Sequence, residues 1–482
     1  MINPIFYIDF YKVGHVIQYP ADTTQVFSNW TPRSSRVAGQ TEVVALGFTY
    51  FAKDYLIRRF NQGFFLRPWR EIESEYREVI RATLGVEDPK VDHIKALHEL
   101  GYLPLQFYAL PEGSSSPLNC PQIVVTNTHP AFFWLPNYLE TIMSAVLWKP
   151  STSATTAKRY RKLFEKAAVE AGELDLSFVE WQGHDFSFRG MSGLEDAILS
   201  GLGHLTCFSG TDSIPAILAA KEFYHAELTV GGSVPATEHS VMCAGTEQGE
   251  FETFQRLLTE IYPTGILSIV SDAWDLWTVL TDYVPRLKNT ILARNGKMVI
   301  RPDSGDPVKI MCGDPDSYGA AHKGVLRLLA EALGTNPGKY PLINNAGAIY
   351  GDSITPERAE QILYRCVHEL KLSPFNCVFG IGSYTYEHVT RDTYGFAMKA
   401  TAVVRNNKLV PIFKNPKTDE AKESKKSRYG IPCVYRESSG KLVVKENCQP
   451  MELDNCAFQK VYENGRLLVD PSFDVIRKRV RS

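Results

Sequence analysis

Residues 297–306, K-M-V-I-R-P-D-S-G-D, decide the fold, because an apolar run of strand length ends there in charged residues, Pro and Gly. Similar runs recur: S-F-V-E-W-Q-G-H-D (177–185), H-L-T-C-F-S-G-T-D (204–212), E-L-T-V-G-G-S-V-P-A-T-E-H (227–239), L-S-I-V-S-D (267–272), G-A-I-Y-G-D (347–352) and N-C-V-F-G-I-G-S (376–383). Successive runs end mostly 27 to 34 residues apart, with one gap of 46, and most intervening segments are typical of helices. A strand followed by a helix at this spacing predicts parallel β/α units. Seven consecutive units favour a closed β/α barrel over an open sheet.

The residues that directly follow each run form the candidate site. In β/α barrels the segments after the strand C-termini converge on one face, where active sites lie. Here those segments carry Asp, His, Arg, Gly or Ser in every unit, for example around Asp185, Asp212 and Asp272. We therefore expect one polar site at the mouth of the barrel.

The chain on either side of this repeat has a different pattern. Residues 1–179 are typical of mixed α/β structure, residues 180–390 of the barrel, and residues 391–482 of alternating strands. Within the last segment, residues 414–430 are lysine-rich and poor in apolar side chains, which predicts a mobile polar loop.

Composition excludes several classes of protein. The chain has 482 residues with 52 basic and 54 acidic side chains, and its net charge of −2 predicts neither a nucleic-acid nor a membrane partner. No apolar stretch reaches the roughly 18 residues of a membrane span, and residues 1–12 lack the basic start of a signal peptide. Nine cysteines without a C-x-x-C pair favour a reduced, cytoplasmic location over a disulfide framework or a zinc site.

The polar clusters narrow the chemistry, since the chain has no P-loop, no G-x-G-x-x-G fingerprint and no G-x-S-x-G elbow. The clusters instead combine cations for phosphates, glycines for close backbone approach, and carboxylates for ribose hydroxyls or hydrated Mg²⁺. These residues are Arg189, His239, Arg301 and Arg391; Gly351, Gly380 and Gly382; and Asp303 and Asp352. Together they predict a phosphorylated sugar donor, although any one of them taken singly could form a structural ion pair.

Longer motifs carry a resemblance. They are H-D-F-S-F-R-G from His184, G-T-D from Gly210, S-V-P-A-T-E-H-S from Ser233, I-V-S-D-A-W-D from Ile269 and I-R-P-D-S-G-D-P from Ile300, together with D-F-Y-K-V-G-H-x-x-Q-Y-P from Asp9. In these stretches the chain resembles the nicotinamide phosphoribosyltransferase family, a branch of the type II phosphoribosyltransferases, from about residue 9 to residue 472. The resemblance implies a β/α barrel with a second α/β domain formed from both termini.

The resemblance also implies how the base is recognised. Phe186 and a partner subunit's Tyr11 would sandwich the pyridine ring, which makes the protein a homodimer with shared sites. Asp212 would accept the carboxamide N–H₂ of nicotinamide and repel the carboxylate of nicotinate, and one such like-charge contact can set the preference.

The remaining roles follow from the same resemblance. Arg189, Arg301 and Arg391 would hold phosphates, and Asp303 and Asp352 would lie on the ribose side, beside Gly351, Gly382 and Ser383. Asp272 and Asp303 would place Mg²⁺ through water. His239 would be phosphorylated by ATP, whose hydrolysis is coupled to product formation. Further phosphate contacts would come from Arg33, Lys399, Lys422 and Arg428. Ser383, Ala397 and Phe188 depart from the family pattern, which usually has Gly, often Ser, and Tyr at these positions.

The predicted activity is the conversion of nicotinamide and 5-phosphoribosyl 1-pyrophosphate to nicotinamide mononucleotide and pyrophosphate in NAD salvage, with Mg²⁺ and ATP. A nicotinate phosphoribosyltransferase is the alternative within enzymes. A catalytically silent nucleotide-binding or signalling protein that keeps the barrel is the alternative from another class.

Overall fold

Two sheets of different kind organise the chain, which a computed structural model describes at residues 2–414 and 428–482. The chain divides into two units. The barrel unit consists of Thr156–Ala219 and Glu227–His388, and the terminal unit consists of Met1–Thr155, Ala220–Ala226 and Val389–Ser482. Within the described ranges, no helix combines the length and the apolar character that a transmembrane span requires.

The described strands are β1 (Thr23–Thr31), β2 (Glu42–Val44), β3 (Leu105–Ala109), β4 (Ser115–Pro117), β5 (Ile123–Asn127), β6 (Gly183–Asp185), β7 (Gly210–Thr211), β8 (Leu267–Val270), β9 (Met298–Arg301), β10 (Ala346–Tyr350), β11 (Cys377–Ile381), β12 (Ala397–Arg405), β13 (Lys408–Pro411), β14 (Ile431–Arg436), β15 (Leu442–Cys448), β16 (Gln459–Glu463) and β17 (Arg466–Leu467). The described α-helices are α1 (His15–Gln18), α2 (Phe48–Phe51), α3 (Trp69–Leu84), α4 (Asp92–Leu100), α5 (Leu135–Tyr138), α6 (Glu140–Glu170), α7 (Val179–Gln182), α8 (Leu194–Leu205), α9 (Ile214–Tyr224), α10 (His239–Ala244), α11 (Glu250–Arg256), α12 (Leu276–Thr278), α13 (Val284–Arg286), α14 (Lys288–Ala293), α15 (Pro307–Cys312), α16 (Gly319–Leu333), α17 (Pro356–Tyr364), α18 (Ser383–Tyr386) and α19 (Phe473–Arg481). Short 3₁₀ segments lie at Pro4–Phe6, Phe10–Gly14, Pro130–Phe132, Phe188–Gly190, Leu228–Val230, Pro374–Asn376, Arg391–Thr393 and Pro450–Asn455, and π-helical turns at Ala52–Arg59, Asn61–Phe65, Leu257–Ile261, Val279–Tyr283 and Arg365–Glu369.

The sheet of the barrel unit is parallel and closes on itself. Its strand order is β7-β6-β11-β10-β9-β8. The segment 232–237 pairs with both edge strands through the isolated parallel bridges Gly210↔Gly232 and Ala236↔Ser268. Around this ring neighbouring strands are consecutive in the chain, except that the first strand, β6, pairs with the last, β11, as the closure of seven successive β/α units requires. The predicted barrel is therefore confirmed.

The closing segment differs from the predicted strand over residues 227–239. Its first part forms the 3₁₀ turn Leu228–Val230, and its second part is extended but joined by one bridge on each side. Pro235 lies in this part, and proline cannot donate a backbone hydrogen bond to a ladder. The segment thus closes the barrel without forming a regular strand.

The terminal unit contains an antiparallel sheet built from both ends of the chain. Its order is β13-β12-β1-β5-β3-β16-β17, so that β1 pairs with β12 and β3 pairs with β16. Buried aromatic rings fill this unit; Trp30 stacks on Phe396 with ring centroids 5.1 Å apart. The second α/β domain implied by the resemblance is confirmed.

The boundaries of the units differ from the predicted 179/180 and 390/391. The first boundary, between residues 155 and 156, lies inside α6, a helix of 31 residues that continues past Pro150. The last boundary lies between residues 388 and 389, and residues 220–226 also belong to the terminal unit. A continuous helix keeps the same helical sequence pattern along its whole length, whichever unit each part belongs to. The sequence pattern therefore changes only after α6 ends. The predicted loop 414–430 lies mostly outside the described residues.

Candidate active site

A cavity of about 400 Å³ occupies the interior of the barrel unit. Its lining follows the two-residue period of the strands, so that Lys297, Val299 and Arg301 face the cavity. The alternate residues, Met298 and Ile300, are fully buried on the other face of the sheet. A barrel of this kind is usually filled by bulky branched side chains. Here small lining residues leave the space open; they are Gly232, Ala236, Ser268 and Gly347.

Asp212 lies at the mouth of this cavity and is held by two neighbours. Its Oδ1 is 2.9 Å from His184 Nε2 and accepts a hydrogen bond of 2.7 Å from Ser233 Oγ. Burial opposes ionisation, but His184, Ser233 and the charge of Arg301 outweigh it, so the pKa of the Asp212 carboxyl is lowered. Asp212 is therefore an oriented, ionised acceptor whose side chain is 49% exposed.

Phe186, which follows β6, lies against two glycines. A Cβ on Gly380 would lie 2.7 Å from Phe186 Cε2, and one on Gly351 would lie 2.6 Å from Asp303 Oδ1. Both glycines are therefore needed to seat these side chains, whereas the space around the Gly382 Cα is open. Of the three predicted phosphate glycines, Gly382 is the one where an added Cβ would meet no neighbouring atom within 4 Å.

Arg301 ends β9 and is 9% exposed. Its Nη2 donates to the Thr237 carbonyl at 2.7 Å, and its guanidinium lies 5.9 Å from the centroid of the Phe186 ring. Its Nε has no hydrogen-bond partner within residues 2–414 and 428–482. Burial lowers the pKa of this guanidinium, and the nearby Arg189 cation adds to that effect. An anion would satisfy this incompletely paired cation.

His239 is the first residue of α10, directly after the closing segment. Its Nε2 is 3.4 Å from Asp272 Oδ1, and the histidine side chain is 47% exposed. Asp272 is 7% exposed, and its Oδ2 accepts a 2.7 Å hydrogen bond from the Asp303 backbone N–H. The structure therefore brings together the predicted trio of His239, Asp272 and Asp303, from three different β/α units.

The same carboxylates fit a hydrated divalent cation. Burial raises the pKa of the Asp303 carboxyl, and repulsion from Asp272 and Asp352 adds to the rise while Arg301 and His239 oppose it. Excess negative charge of this kind favours a cation. Among the described residues no three His, Cys, Asp or Glu side chains form a direct metal cage. Binding through water, as Mg²⁺ prefers, is the mode these residues suit.

The remaining predicted residues of the barrel unit lie at strand ends or in the turns after them. Arg189 is exposed in the turn Phe188–Gly190. Asp352 is exposed after β10, and its Oδ2 accepts a 2.5 Å hydrogen bond from Ser353 Oγ. Ser383 begins α18, and its side chain occupies the place where Gly190 would carry a Cβ. All three are therefore at the same end of the barrel strands.

Tyr11 and Arg391 belong to the terminal unit. They line an open cavity of about 250 Å³ together with Asp9 and Glu140. Tyr11 is 64% exposed and donates a hydrogen bond of 3.2 Å to Asp9 Oδ2. An exposed aromatic ring of this kind is available to another molecule.

The four further predicted phosphate contacts divide into three groups. Arg33 is half-buried and Lys399 is exposed at the side-chain level. Partial burial nevertheless lowers the pKa of each group, and nearby cations including Arg391 add to that effect. Arg428 is instead tied within the terminal unit, where it donates to Glu446 at 2.8 Å and to the Asn119 carbonyl. Lys422 lies outside the described residues.

Sequence reasoning did not single out His184 or Ser233 as site residues. Phe186 lies two positions after His184, and residues two positions apart in a strand lie on the same face. Strand alternation could therefore have identified His184 as a site residue. No such signal marks the contact of Ser233 with Asp212, because it joins the end of one β/α unit to the closing segment that follows in the next β/α unit.

Comparisons with known proteins agree with this geometry. The model of the nicotinate phosphoribosyltransferase (NAPRTase) family matches residues 181–462. Nicotinamide phosphoribosyltransferase of Acinetobacter baylyi is 47% identical over 99% of this chain and 97% of its own length. The protein of the same name from Mycoplasma genitalium is 35% identical over 87% of this chain and 94% of its own length.

Two solved structures share the fold. Nicotinate-nucleotide pyrophosphorylase from Pyrococcus furiosus has a TM-score of 0.58 at 16% identity and covers 99% of this chain and 95% of its own. Human nicotinic acid phosphoribosyltransferase has a TM-score of 0.55 at 15% identity and covers 98% of this chain and 92% of its own. At these identities the likeness concerns the architecture alone.

Proposed function

This chain belongs to the nicotinate phosphoribosyltransferase family, and we propose that it transfers the phosphoribosyl group of 5-phosphoribosyl 1-pyrophosphate to nicotinamide in NAD biosynthesis. The products are nicotinamide mononucleotide and pyrophosphate. The observation that carries the choice of base is the ionised Asp212 carboxylate, held by His184 and Ser233 at the mouth of the barrel. The names of the two bacterial relatives support the same activity.

Asp212 supplies the base specificity. Its Oδ1 is occupied by His184 and Ser233, so Oδ2 is the oxygen left for the carboxamide N–H₂. The carboxylate of nicotinate would meet this group with like charge, which disfavours that base. Because the Asp212 side chain is 49% exposed, solvent screening reduces this cost. The Phe186 ring supports one face of the pyridine, and stacking contributes roughly 1 kcal/mol beyond area burial.

Arg301 and Arg189 stabilise the phosphorylated donor. As pyrophosphate leaves the ribosyl carbon, negative charge grows on its oxygens, and a pre-oriented guanidinium favours that charge. Asp303 and Asp352 would accept hydrogen bonds from ribose hydroxyls. When bound through water beside Asp272 and Asp303, Mg²⁺ would supply further neutralisation of the leaving group. The open backbone at Gly382 leaves room for a phosphate.

His239 would couple ATP to this reaction. A neutral imidazole nitrogen is a competent phosphoryl acceptor, and almost half of the His239 side chain is exposed. Asp272, at 3.4 Å, is placed to orient the ring. Support for this role comes from the geometry and from the S-V-P-A-T-E-H-S motif.

A homodimer would complete the site. Tyr11 is exposed in the terminal unit and lines a cavity with Arg391. We infer that the partner subunit's Tyr11 covers the free face of the pyridine on Phe186. Arg391, Arg33 and Lys399 would then contact phosphates.

A product assay tests the proposal. The purified chain, the pyrophosphate donor, Mg²⁺ and ATP are mixed with equimolar nicotinamide and nicotinate, and products are separated by liquid chromatography and mass spectrometry. We expect predominantly nicotinamide mononucleotide. Mainly nicotinate mononucleotide would support the nicotinate-specific alternative. No product from either base, with donor still shifting the melting temperature, would support the silent binding protein.

The variant Asp212→Asn sharpens the base assignment. An amide removes the charge that repels nicotinate and weakens the acceptor for nicotinamide. We expect the ratio of kcat/KM for nicotinamide over nicotinate to fall by about 10- to 100-fold, because the charge that discriminates between the two bases is lost. Each factor of ten corresponds to about 1.4 kcal/mol of binding free energy. An unchanged ratio would contradict Asp212 as the reader of the base.

A further inference from the structure

Asp185 ends β6 and is 1% exposed, although the proposed chemistry gives it no role. Its Oδ1 accepts a 2.9 Å hydrogen bond from the Ser187 backbone N–H and a 2.7 Å hydrogen bond from Ser187 Oγ. Its Oδ2 is buried without a hydrogen-bond partner among the described residues. Burying this oxygen costs free energy, and the two hydrogen bonds to Oδ1 partly offset that cost. Ser187 is thus the residue that this buried carboxylate holds.

Ser187 connects Asp185 to the turn that carries Arg189. The Ser187 carbonyl accepts a 2.9 Å hydrogen bond from the Gly190 backbone N–H, which closes the 3₁₀ turn Phe188–Gly190 around Arg189. Ser187 is 1% exposed, whereas the Arg189 side chain is exposed. The position of the guanidinium therefore depends on the backbone turn that carries it. A buried pair, Asp185 and Ser187, anchors this turn.

The same two hydrogen bonds also restrain the residue between Asp185 and Ser187, which is Phe186. An aspartate that bonds the backbone two residues later forms a closed turn and restricts the dihedral angles of the residue between them. The backbone on both sides is fixed to the sheet: the Phe186 N–H donates to the Ile381 carbonyl, and the Asp212 N–H donates to the Asp185 carbonyl, each at 3.0 Å. One side chain therefore restrains both the ring proposed to stack on the base and the turn that carries a phosphate-binding arginine.

The turn Phe188–Gly190 has little freedom on its other side. A Cβ on Gly190 would lie 2.6 Å from Ser383 Cβ, so the turn passes closely over the start of α18. Ser383 directly follows Gly382, beside which a phosphate is proposed to bind. Release of the turn from Asp185 would therefore move Arg189 relative to that phosphate.

We propose that Asp185 is a positioning residue for both substrates: through Ser187 it fixes Phe186 against the nicotinamide ring and Arg189 toward the phosphates of the donor. This inference rests on the proposed function and deepens it, because one buried side chain links the base site to the phosphate site. Loss of the Asp185 acceptor weakens the use of both substrates together, whereas loss of Phe186 or Arg189 alone weakens mainly the use of one.

Steady-state kinetics of three variants test this role. Asp185→Ala removes the acceptor, and kcat/KM for nicotinamide and for the donor should each fall by about 10- to 100-fold, since misplacement by about 1 Å has effects of this size. Asp185→Asn keeps a carbonyl oxygen as acceptor and should stay within about threefold of wild type. A loss confined to one substrate, or Asp185→Asn as defective as Asp185→Ala, would overturn the inference.

Asp175→Ala is the matched control. Asp175 Oδ1 accepts a 2.9 Å hydrogen bond from the Ser177 backbone N–H, so the D-x-S pattern is the same. Asp175 is exposed and precedes β6 in the chain, whereas Asp185 is buried and ends that strand. Asp175→Ala should therefore have the kinetics of wild type, and a loss equal to that of Asp185→Ala would contradict a special role for Asp185.

A double-mutant cycle separates positioning from a merely structural role. Because Asp185 acts through Arg189, Asp185→Ala should lower kcat/KM for the donor much less in an Arg189→Ala background than in wild type. Equal fold losses in the two backgrounds would overturn the inference. Ser187→Ala removes one of the two donors and serves if Asp185→Ala does not fold; it should reduce the use of both substrates by a smaller factor, and no loss for either would also overturn the inference.

A binding measurement distinguishes failure of this inference from failure of the proposed function. Calorimetric titration of the intact protein with inorganic pyrophosphate and Mg²⁺ needs no turnover. The dissociation constant should rise by about tenfold in Asp185→Ala and in Arg189→Ala, since a charge-assisted contact is lost, but not in Asp175→Ala. No binding by wild type, or an unchanged constant in Asp185→Ala, would overturn the inference. The expected binding pattern without product from either base would reject the proposed function and leave the positioning role of Asp185 in place.

Discussion

The two large sheets of this protein belong to units that use their interiors in opposite ways. The parallel sheet of the barrel unit encloses a cavity lined partly by small residues, and charged residues follow its strands. The terminal unit, which contains the antiparallel sheet, is instead filled with aromatic rings, such as Trp30 stacked on Phe396. Parallel strands place all their C-terminal ends at one edge, so successive loops can meet around one ligand. Neighbouring antiparallel strands end at opposite edges, which favours packing over a shared site.

The largest expected effect concerns the aromatic core of the terminal unit. Trp134 is 1% exposed, with its ring centroid 4.9 Å from that of Tyr138 and 5.1 Å from that of His93. Trp134→Ala should lower the free energy of unfolding by about 3–5 kcal/mol through lost burial and a cavity. Chemical denaturation measures this loss, and kcat/KM per folded molecule should stay within about twofold of wild type. A large loss of kcat/KM in the folded fraction would contradict the contrast between the two units, in which the terminal unit contributes packing and the barrel unit contributes the site.

Arg301→Ala should show the opposite pattern. Loss of a guanidinium that stabilises developing charge lowers kcat/KM by about 10²–10³-fold. Steady-state kinetics with nicotinamide tests this expectation. Arg294 is the matched control, because it is a buried arginine of the same unit that donates to the Leu258 and Tyr262 carbonyls. Arg294→Ala should reduce stability more than turnover, and equal kinetic losses in both variants would contradict a special role for Arg301.

Gly380→Ala tests how closely the barrel seats Phe186. The added methyl would collide with the Phe186 ring, and overpacking of this kind costs about 1–3 kcal/mol. We expect a higher KM for nicotinamide and a lower melting temperature. Gly382→Ala adds the same methyl where no atom lies within 4 Å, so its melting temperature should not change. Identical melting temperatures for the two variants would show that the ring moves freely.

The smallest expected effect is a pH-dependent gain in stability. Burial raises the pKa of Glu250 to about 7, with Tyr283 opposing the rise and Asp275 and Glu247 adding to it. A carboxyl whose folded pKa exceeds its unfolded pKa destabilises the fold as pH rises through that window, here from about 4.5 to about 7. Glu250→Gln removes this penalty and should stabilise the protein by about 1 kcal/mol at pH 8 and less at pH 5. Thermal unfolding of wild type and variant at pH 8 and pH 5 measures this difference. An equal gain in stability at the two pH values would contradict the raised pKa of Glu250.

Prediction from sequence succeeded where the signal is local. The runs that end at Asp272 and Asp306 mark β8 and β9, and most of the segments between the runs contain helices, as predicted. Each of these elements is specified by residues close together in the chain, through strand propensity, polar residues at the strand ends, or the helical period of apolar residues. The predicted site residues of the barrel unit lie at the ends of its strands for the same reason.

Prediction from sequence failed where distant segments meet. The closing segment 232–237 lacks a regular ladder, and its role is visible only when both edge strands are in place. The boundary inside α6 has no local mark, since the helix continues through it. The contact of Gly380 with Phe186 was also missed: its missing side chain makes room for that ring, which no local pattern indicates.

The sequence by itself determined the repeating β/α pattern, the polar residues after each strand and the long motifs that place the chain in its family. These properties are written in residues close together along the chain. Only the tertiary structure decided that His184 donates to Asp212, that the Asp303 backbone donates to Asp272, and that small residues leave the barrel hollow. The physical reason is that such contacts depend on the register and closure of the sheet, which join positions about 30 residues apart and which no local preference encodes.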